Sequence, residues 1–237
     1  MPEIAGEMIA GASRRCERQA LPGIDTWVVD LQAVPARESF GALSTDELAR
    51  AARFKFEGDR RRFLHAHCAL RELLARAVSR RPEAIEFLTG PNGKPSLPDA
   101  YSIPFNMSHS GEIALVATGS GLARDTEIGV DVEVMRAVSD STALAAMNFT
   151  VQEQDELRHV AADQRDRAFL QGWTRKEACL KAVGSGLSIA PSTFHCGLHA
   201  VRSVAEIETP RGRTFVELAP LDIGADNVAS VAIIHPH

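Results

Sequence analysis

The feature that most limits how this 237-residue chain can fold is the likeness of one part of it to another. Shifted by 106 residues without a gap, LSTDELARAARFKFEGDRRRFLHAHCALRELL (residues 43–74) lies over FTVQEQDELRHVAADQRDRAFLQGWTRKEACL (residues 149–180). Ser44 falls on Thr150 and Glu47 on Glu153, so each copy opens with an S/T-x-x-E capping box behind an apolar residue. Arg61, Phe63, Leu64 and Leu74 fall on Arg167, Phe169, Leu170 and Leu180. Upstream of each box a β-branched run is followed by an aspartate, Asp30 in TWVVDLQAV and Asp131 in EIGVDVEVM. The expected fold is therefore α+β, with two similar tandem α/β subdomains at residues 1–124 and 125–237 joined through the glycine-containing stretch 118–127. Such a pseudo-dimer places a cleft between its halves, a common position for a ligand site. Periodicity predicts strands at 27–31, 113–118, 127–134, 214–218 and 228–234, and long helices at 45–56, 60–80, 151–159 and 165–183.

Composition narrows the partners. The net charge of −5 argues against nucleic acid as the main partner. Within that acidic total, residues 50–63 carry Arg50, Arg53, Lys55, Arg60, Arg61 and Arg62 against Glu57 and Asp59. That run is either a solvated helix face or a local site for an anion or an acidic partner. No apolar run approaches the ~18 residues of a membrane span, and the polar opening residues do not read as a signal peptide but as a loose arm over 1–25. Cys16, Cys68, Cys179 and Cys196 form no C-x-x-C pair and read as reduced thiols of a cytoplasmic protein.

The chemistry-bearing residues lie in four short stretches. In WTRKEACLKAVGSGL (residues 173–187), Trp173, Glu177 and Lys181 share one helical face. An exposed Glu four residues before Lys is an ordinary pair worth about 0.2–0.5 kcal/mol. In GVDVE, Asp131 and Glu133 leave one face of a strand, while Val130 and Val132 point to the core. Two adjacent carboxylates form either a solvated acidic face or a pair of oxygen ligands for a hard cation such as Mg²⁺, with Glu177 as a third. The absence of His and Cys from this set argues against zinc. FNMSHSG offers Ser108, His109 and Ser110 at an expected turn, suited to phosphate oxygens. No G-x-S-x-G elbow accompanies them, which counts against a serine hydrolase. GPNGKPSLP presents Lys94 and Pro95 in a turn-rich loop, and Gly184 suits a helix C-terminus whether or not a ligand is bound.

Taken in order, GKPSL, FNMSHS, GVDVE, FTVQE and WTRKEACLKAVGSGL resemble the 4′-phosphopantetheinyl transferases, in particular the long pseudo-dimeric, surfactin-synthetase-activating type. The likeness covers about residues 43–187; neither the arm nor the tail after Pro191 carries a matching motif. The resemblance implies Mg²⁺-dependent transfer of phosphopantetheine from coenzyme A to a serine of an apo acyl or peptidyl carrier protein, releasing adenosine 3′,5′-bisphosphate. It implies Asp131, Glu133 and Glu177 as ligands of Mg²⁺, with Mn²⁺ as the alternative metal. Glu177 also matches the general base and Lys181 the pyrophosphate contact. Lys94, Pro95, Ser108 and His109 match coenzyme A-binding positions, and Arg50, Arg53 and Arg62 match cations near the 3′-phosphate, although one expected basic position falls on Glu47. One chain supplies both halves of the cleft, so a monomer is expected. Two competing readings keep part of this pattern: a coenzyme A phosphodiesterase using water, and a non-catalytic coenzyme A-binding module.

Overall fold

A computed structural model describes residues 8–9, 13–16, 20–33, 37–90 and 92–236. Its elements in order are β1 (Met8–Ile9), β2 (Ser13–Arg15), β3 (Asp25–Asp30), α1 (Thr45–Ala51), α2 (Glu57–Ala77), β4 (Leu88–Thr89), β5 (Pro95–Ser96), β6 (Phe105–Ser110), β7 (Ile113–Thr118), β8 (Glu127–Val134), α3 (Ser141–Asn148), α4 (Val151–His159), α5 (Arg165–Val183), β9 (Ser203–Thr209), β10 (Gly212–Leu221) and β11 (Asn227–Ile234). One sheet runs β1-β2-β3-β7-β6 and a second runs β8-β11-β10-β9. Every strand pair among the described residues is antiparallel, and the helices lie outside the sheets, which makes the fold α+β as expected.

Alternation along the strands determines the layers. Val28 and Leu115 of the first sheet meet Val130, Val231 and Ile233 of the second in one core. The opposite face of the first sheet, through Val29 and Val116, buries Leu70, Leu73 and Leu74 of α2. The opposite face of the second, through Ile207, Leu218 and Ala232, buries Ala178, Cys179 and Ala182 of α5. Each sheet is thus backed by one long helix.

Both predicted capping boxes form. Ser44 accepts from the Glu47 amide and Thr150 from the Glu153 amide, while each glutamate bonds back to the cap amide. The two carboxylates are then used a second time. Glu47 receives Arg71 at 2.8 Å and His67 at 2.7 Å. Glu153 receives Lys176 at 2.8 Å and the Cys196 amide at 2.8 Å, with both side chains of that ion pair wholly buried. Burial by itself would raise these acids, but the donors win: Glu47 is held at about 2, and Glu153 is also lowered. A short helix is thereby tied to a long one by a single residue at each repeat.

Several expectations need correction. The helix predicted over 45–56 stops at Ala51, because the Arg53 and Phe54 amides close tight turns onto Arg50 and Ala51 before Phe56 becomes extended. The helix predicted over 60–80 is displaced to Glu57–Ala77, ended by Ser79 at φ 53° and a bond from the Arg80 amide to the Ala75 carbonyl. FNMSHS is not a turn but strand β6. α3 and β9 were not expected. The arm is only partly loose where it is described: Cys16, Leu21 and Ile24 are buried. Its residues 1–7, 10–12 and 17–19 lie outside the described residues.

Among the described glycines, the closest approach of a neighbour is where α5 packs on β8. A Cβ placed on Gly129 would stand 2.0 Å from the Ala178 carbonyl oxygen and 2.4 Å from the Ala182 nitrogen. Both are backbone atoms of α5, so neither can swing aside. Gly129→Ala is expected to lower the unfolding free energy by about 3 kcal/mol, the upper end of typical overpacking losses, measured by urea denaturation.

Candidate active site

The site is assembled where β6 and β8, edge strands of different sheets, run beside each other. They exchange side-chain bonds in place of a backbone ladder. Asn106 Oδ1 accepts the Val130 amide at 3.0 Å, Ser108 Oγ donates to Asp131 at 2.7 Å, and Ser110 Oγ donates to Glu133 at 2.8 Å. Ser110 Oγ also accepts the Val134 amide at 3.2 Å. Residues 106, 108 and 110 can do this together because alternate strand residues share a face. Motif spacing did not single out Asn106, and it read Ser110 as a phosphate-facing hydroxyl at a turn, where the structure bonds it to Glu133 and Val134; the period-two pattern of small polar residues in FNMSHS carries the signal for both.

α5 brings Glu177 and Lys181 onto this seam. Lys181 does not pair with Glu177; its ammonium donates to Asp131 Oδ1 at 2.6 Å and to Ser108 Oγ at 2.8 Å. The ordinary helix-surface pair is thereby replaced by a contact between elements far apart in sequence. Asp131 is buried, and its second oxygen, Oδ2, has no hydrogen-bond partner. Burial raises the Asp131 pKa against the opposing pull of Lys181 and Ser108. Glu177 is half-buried and is raised by burial and then by the Asp131 charge, with Lys181 opposing and Glu133 adding. Glu133 is further held by Arg136 at 2.7 Å. Among the described residues no group of three or more His, Cys, Asp or Glu side chains is drawn together closely enough to hold a metal ion. The donor set nevertheless fits a hard cation: its members are all carboxylates, Asp131 and Glu133 each raise Glu177, and Asp131 Oδ2 is an orphaned buried acceptor.

The remaining predicted residues separate into distinct settings. His109 follows Ser108 on β6, so its ring leaves the other face and is exposed. Partial enclosure, Lys181, Arg62 and His67 hold its pKa below the ordinary value. The arrangement differs from the expected turn, in which Ser108 and His109 would converge. Arg50 is exposed, with its guanidinium 5.2 Å from the centre of the Phe63 ring. The Arg53 side chain is exposed and has no partner among the described residues. Arg62 is already engaged by Asp59 at 2.5 Å and Glu112 at 2.9 Å, which leaves it less available to a phosphate than an unpaired arginine. Glu47, standing where a cation was expected, belongs to the capping box. Lys94 and Pro95 border a cleft of about 310 Å³ whose other walls include Met107, Glu177, Lys181 and Gly184. None of the described helices is long and apolar enough to cross a membrane.

Comparison with known proteins identifies the family. Residues 127–229 match the model of the 4′-phosphopantetheinyl transferase superfamily, and residues 34–121 match that of the 4′-phosphopantetheinyl transferase N-terminal region. The 4′-phosphopantetheinyl transferase HetI of Nostoc is 36% identical over 81% of this chain and 78% of its own length. The Synechocystis protein slr0495, named provisionally for the same activity, is 38% identical over 71% of this chain and 68% of its own. The 4′-phosphopantetheinyl transferase Sfp of Bacillus subtilis is 27% identical over 82% of this chain and 83% of its own. With two models matched in tandem and relatives matched over most of their length, the chain belongs to the 4′-phosphopantetheinyl transferase superfamily, in its long HetI- and Sfp-like type, and is a transferase of that class.

Proposed function

We propose that this enzyme transfers the 4′-phosphopantetheine group of coenzyme A to a serine hydroxyl of an apo acyl or peptidyl carrier protein, releasing adenosine 3′,5′-bisphosphate. The serine oxygen forms a bond to the pantetheine-side phosphorus. The bond from that phosphorus to the bridging oxygen breaks, and the bridging oxygen leaves with the adenosine bisphosphate. The observation that carries the reading is the meeting of Lys181 with Asp131 and Ser108 beside the half-buried Glu177. It supports the reading because an ammonium suited to a pyrophosphate lies near a carboxylate whose affinity for a proton is raised.

In this reading Glu177 takes the proton of the attacking serine. A carboxylate raised by burial and by neighbouring charge is a stronger base than an exposed one. Lys181 and Ser108 orient the pyrophosphate, and His109, Arg50 and Arg53 meet the 3′-phosphate from the β6 edge and the α1 end. Asp131, Glu133 and Glu177 would hold Mg²⁺, or Mn²⁺ in its place. When bound, that ion supplies positive charge to polarise the pyrophosphate and offset charge on the leaving oxygen. In this reading the two lobes, residues 1–124 and 125–237, line the cleft from both sides, through Lys94 and Met107 of one and Glu177 and Lys181 of the other, which supports a monomer, and the four free cysteines support a reducing cytoplasm.

The deciding experiment is mass spectrometry of an apo carrier protein incubated with enzyme, coenzyme A and Mg²⁺. A phosphopantetheinyl mass added to the carrier is expected. Adenosine bisphosphate without carrier labelling would instead indicate a phosphodiesterase, and tight coenzyme A binding without turnover a binding module. Arg50→Ala is expected to raise KM for coenzyme A several-fold more than for 3′-dephospho-coenzyme A, since the additional phosphate is its proposed partner; equal effects on both substrates would remove that role.

Glu177→Gln separates base from ligand. At saturating Mg²⁺ a kcat deficit of about 10²–10⁴-fold is expected to persist, and the acidic limb of the pH–rate profile to vanish. Full rescue by Mg²⁺ with an unchanged acidic limb would move the base elsewhere. The same variant is expected to raise Tm at pH 7–8 in the presence of a chelator. A carboxyl raised on folding is a charge the fold disfavours. The gain is therefore full above the folded pKa and disappears as pH falls to about 4, where the unfolded carboxyl is protonated as well.

A further inference from the structure

We propose that Lys94, with Asn92 and Glu127, is a positioning latch that fastens one wall of the cleft to the end of α5 and so sets where Glu177 and Lys181 stand against a bound substrate. The Lys94 ammonium donates to Glu127 Oε2 at 2.5 Å, to the Ala182 carbonyl at 3.0 Å and to the Ile128 carbonyl at 3.1 Å. An ammonium has three N–H donors, and three acceptors meet it. It is therefore spent within the protein, unlike a lysine held ready for a phosphate, and its side chain is only 19% exposed.

The acceptors are not arbitrary. Ala182 lies in the last turn of α5, where carbonyls have no partner within the helix and the helix dipole is negative. Asn92 extends the same contact by donating to the Gly184 carbonyl at 2.9 Å. Gly184 adopts φ 69° at this helix end, and a Cβ there would meet Lys94 Cδ at 3.3 Å, so the lysine stem lies across the glycine. Ile128 and Glu127 belong to β8, four and six residues from the carboxylates Asp131 and Glu133 when counted from Glu127. One side chain thus ties the Asn92–Pro95 wall to both elements that carry the acidic residues. The loop is also braced from within, by the Gly93 amide on the Gly90 carbonyl at 2.9 Å and the Gly90 amide on the Lys94 carbonyl at 3.0 Å.

The test compares full-length Lys94→Met, Glu127→Ala, their double variant and Lys94→Arg. Glu127 is a surface carboxylate outside the cleft lining, so its variant keeps the fold. Amide hydrogen exchange over residues 92–97 is the first measurement. Lys94→Met and Glu127→Ala are each expected to speed it about tenfold, the double variant no more than Lys94→Met alone, and Lys94→Arg to restore part of the protection. The second measurement is carrier labelling: KM for coenzyme A is expected to rise several-fold in both single variants with a smaller change in kcat. Unchanged exchange in Glu127→Ala would overturn the latch. A fall in KM for that variant would do so too, because it would mean that the freed ammonium binds phosphate directly. The kinetic arm rests on the coenzyme A reading and the exchange arm does not; were the wild type inactive with coenzyme A, exchange alone would still decide the latch.

Discussion

The approach of α5 to β8 at Gly129 is the constraint on which the remainder of the site depends. With no side chain at that position, the helix backbone comes within reach of the strand backbone. Lys181, on the last turn of α5, can then span from the helix to Asp131 and on to Ser108 of the other sheet. A helix displaced by the thickness of a methyl group would leave that ammonium short of both oxygens, since hydrogen bonds weaken steeply beyond about 3.2 Å. Gly129 therefore acts on the chemistry through distance alone.

The seam between β6 and β8 shows how two sheet edges can meet without becoming one sheet. A backbone ladder would have occupied the strands' polar groups and turned their side chains up and down. Instead Asn106, Ser108 and Ser110 reach across to amides and carboxylates. The unpaired edges are covered, which limits their tendency to pair with other chains. The carboxylates are also drawn out of water. That burial has a cost: it raises both Asp131 and Glu177, with neighbouring carboxylates adding to it, so their charged forms are disfavoured in the folded chain. Glu47 and Glu153 have the opposite balance, lowered despite burial because each gathers a cation and amide donors. Acids that hold the framework are satisfied; acids at the meeting of β6, β8 and α5 are left with unmet demand, most plainly at Asp131 Oδ2.

The parts legible in the sequence were those governed by neighbours in the chain. The bounds of α4 and α5, and of β7 and β8, follow from caps and periodicity. Both capping boxes were visible because Ser44 with Glu47, and Thr150 with Glu153, are three residues apart. The acidic set, Lys181 and Ser108 were visible as motifs. α1 was predicted too long, since Arg50 to Phe56 favours helix locally and stops only because α2 must begin from an extended Phe56. β6 was mistaken for a turn because its serines, histidine and asparagine have turn chemistry, and only pairing with β7 makes them a strand.

By itself, then, the sequence determined the element types, the duplicated helix starts, the residue classes of the site and the family, because each rests on spacing along the chain. Tertiary structure alone decided which charges meet. Lys181 bonds to Asp131, fifty residues away, in preference to Glu177 four residues away. Lys94 is claimed by Glu127 and two carbonyls, and Arg62 by Asp59 and Glu112. Electrostatic partners are set by separation in space and by burial, and neither is encoded at any single position: both arise when α5 closes on β8 and the edge of one sheet is laid along the edge of the other.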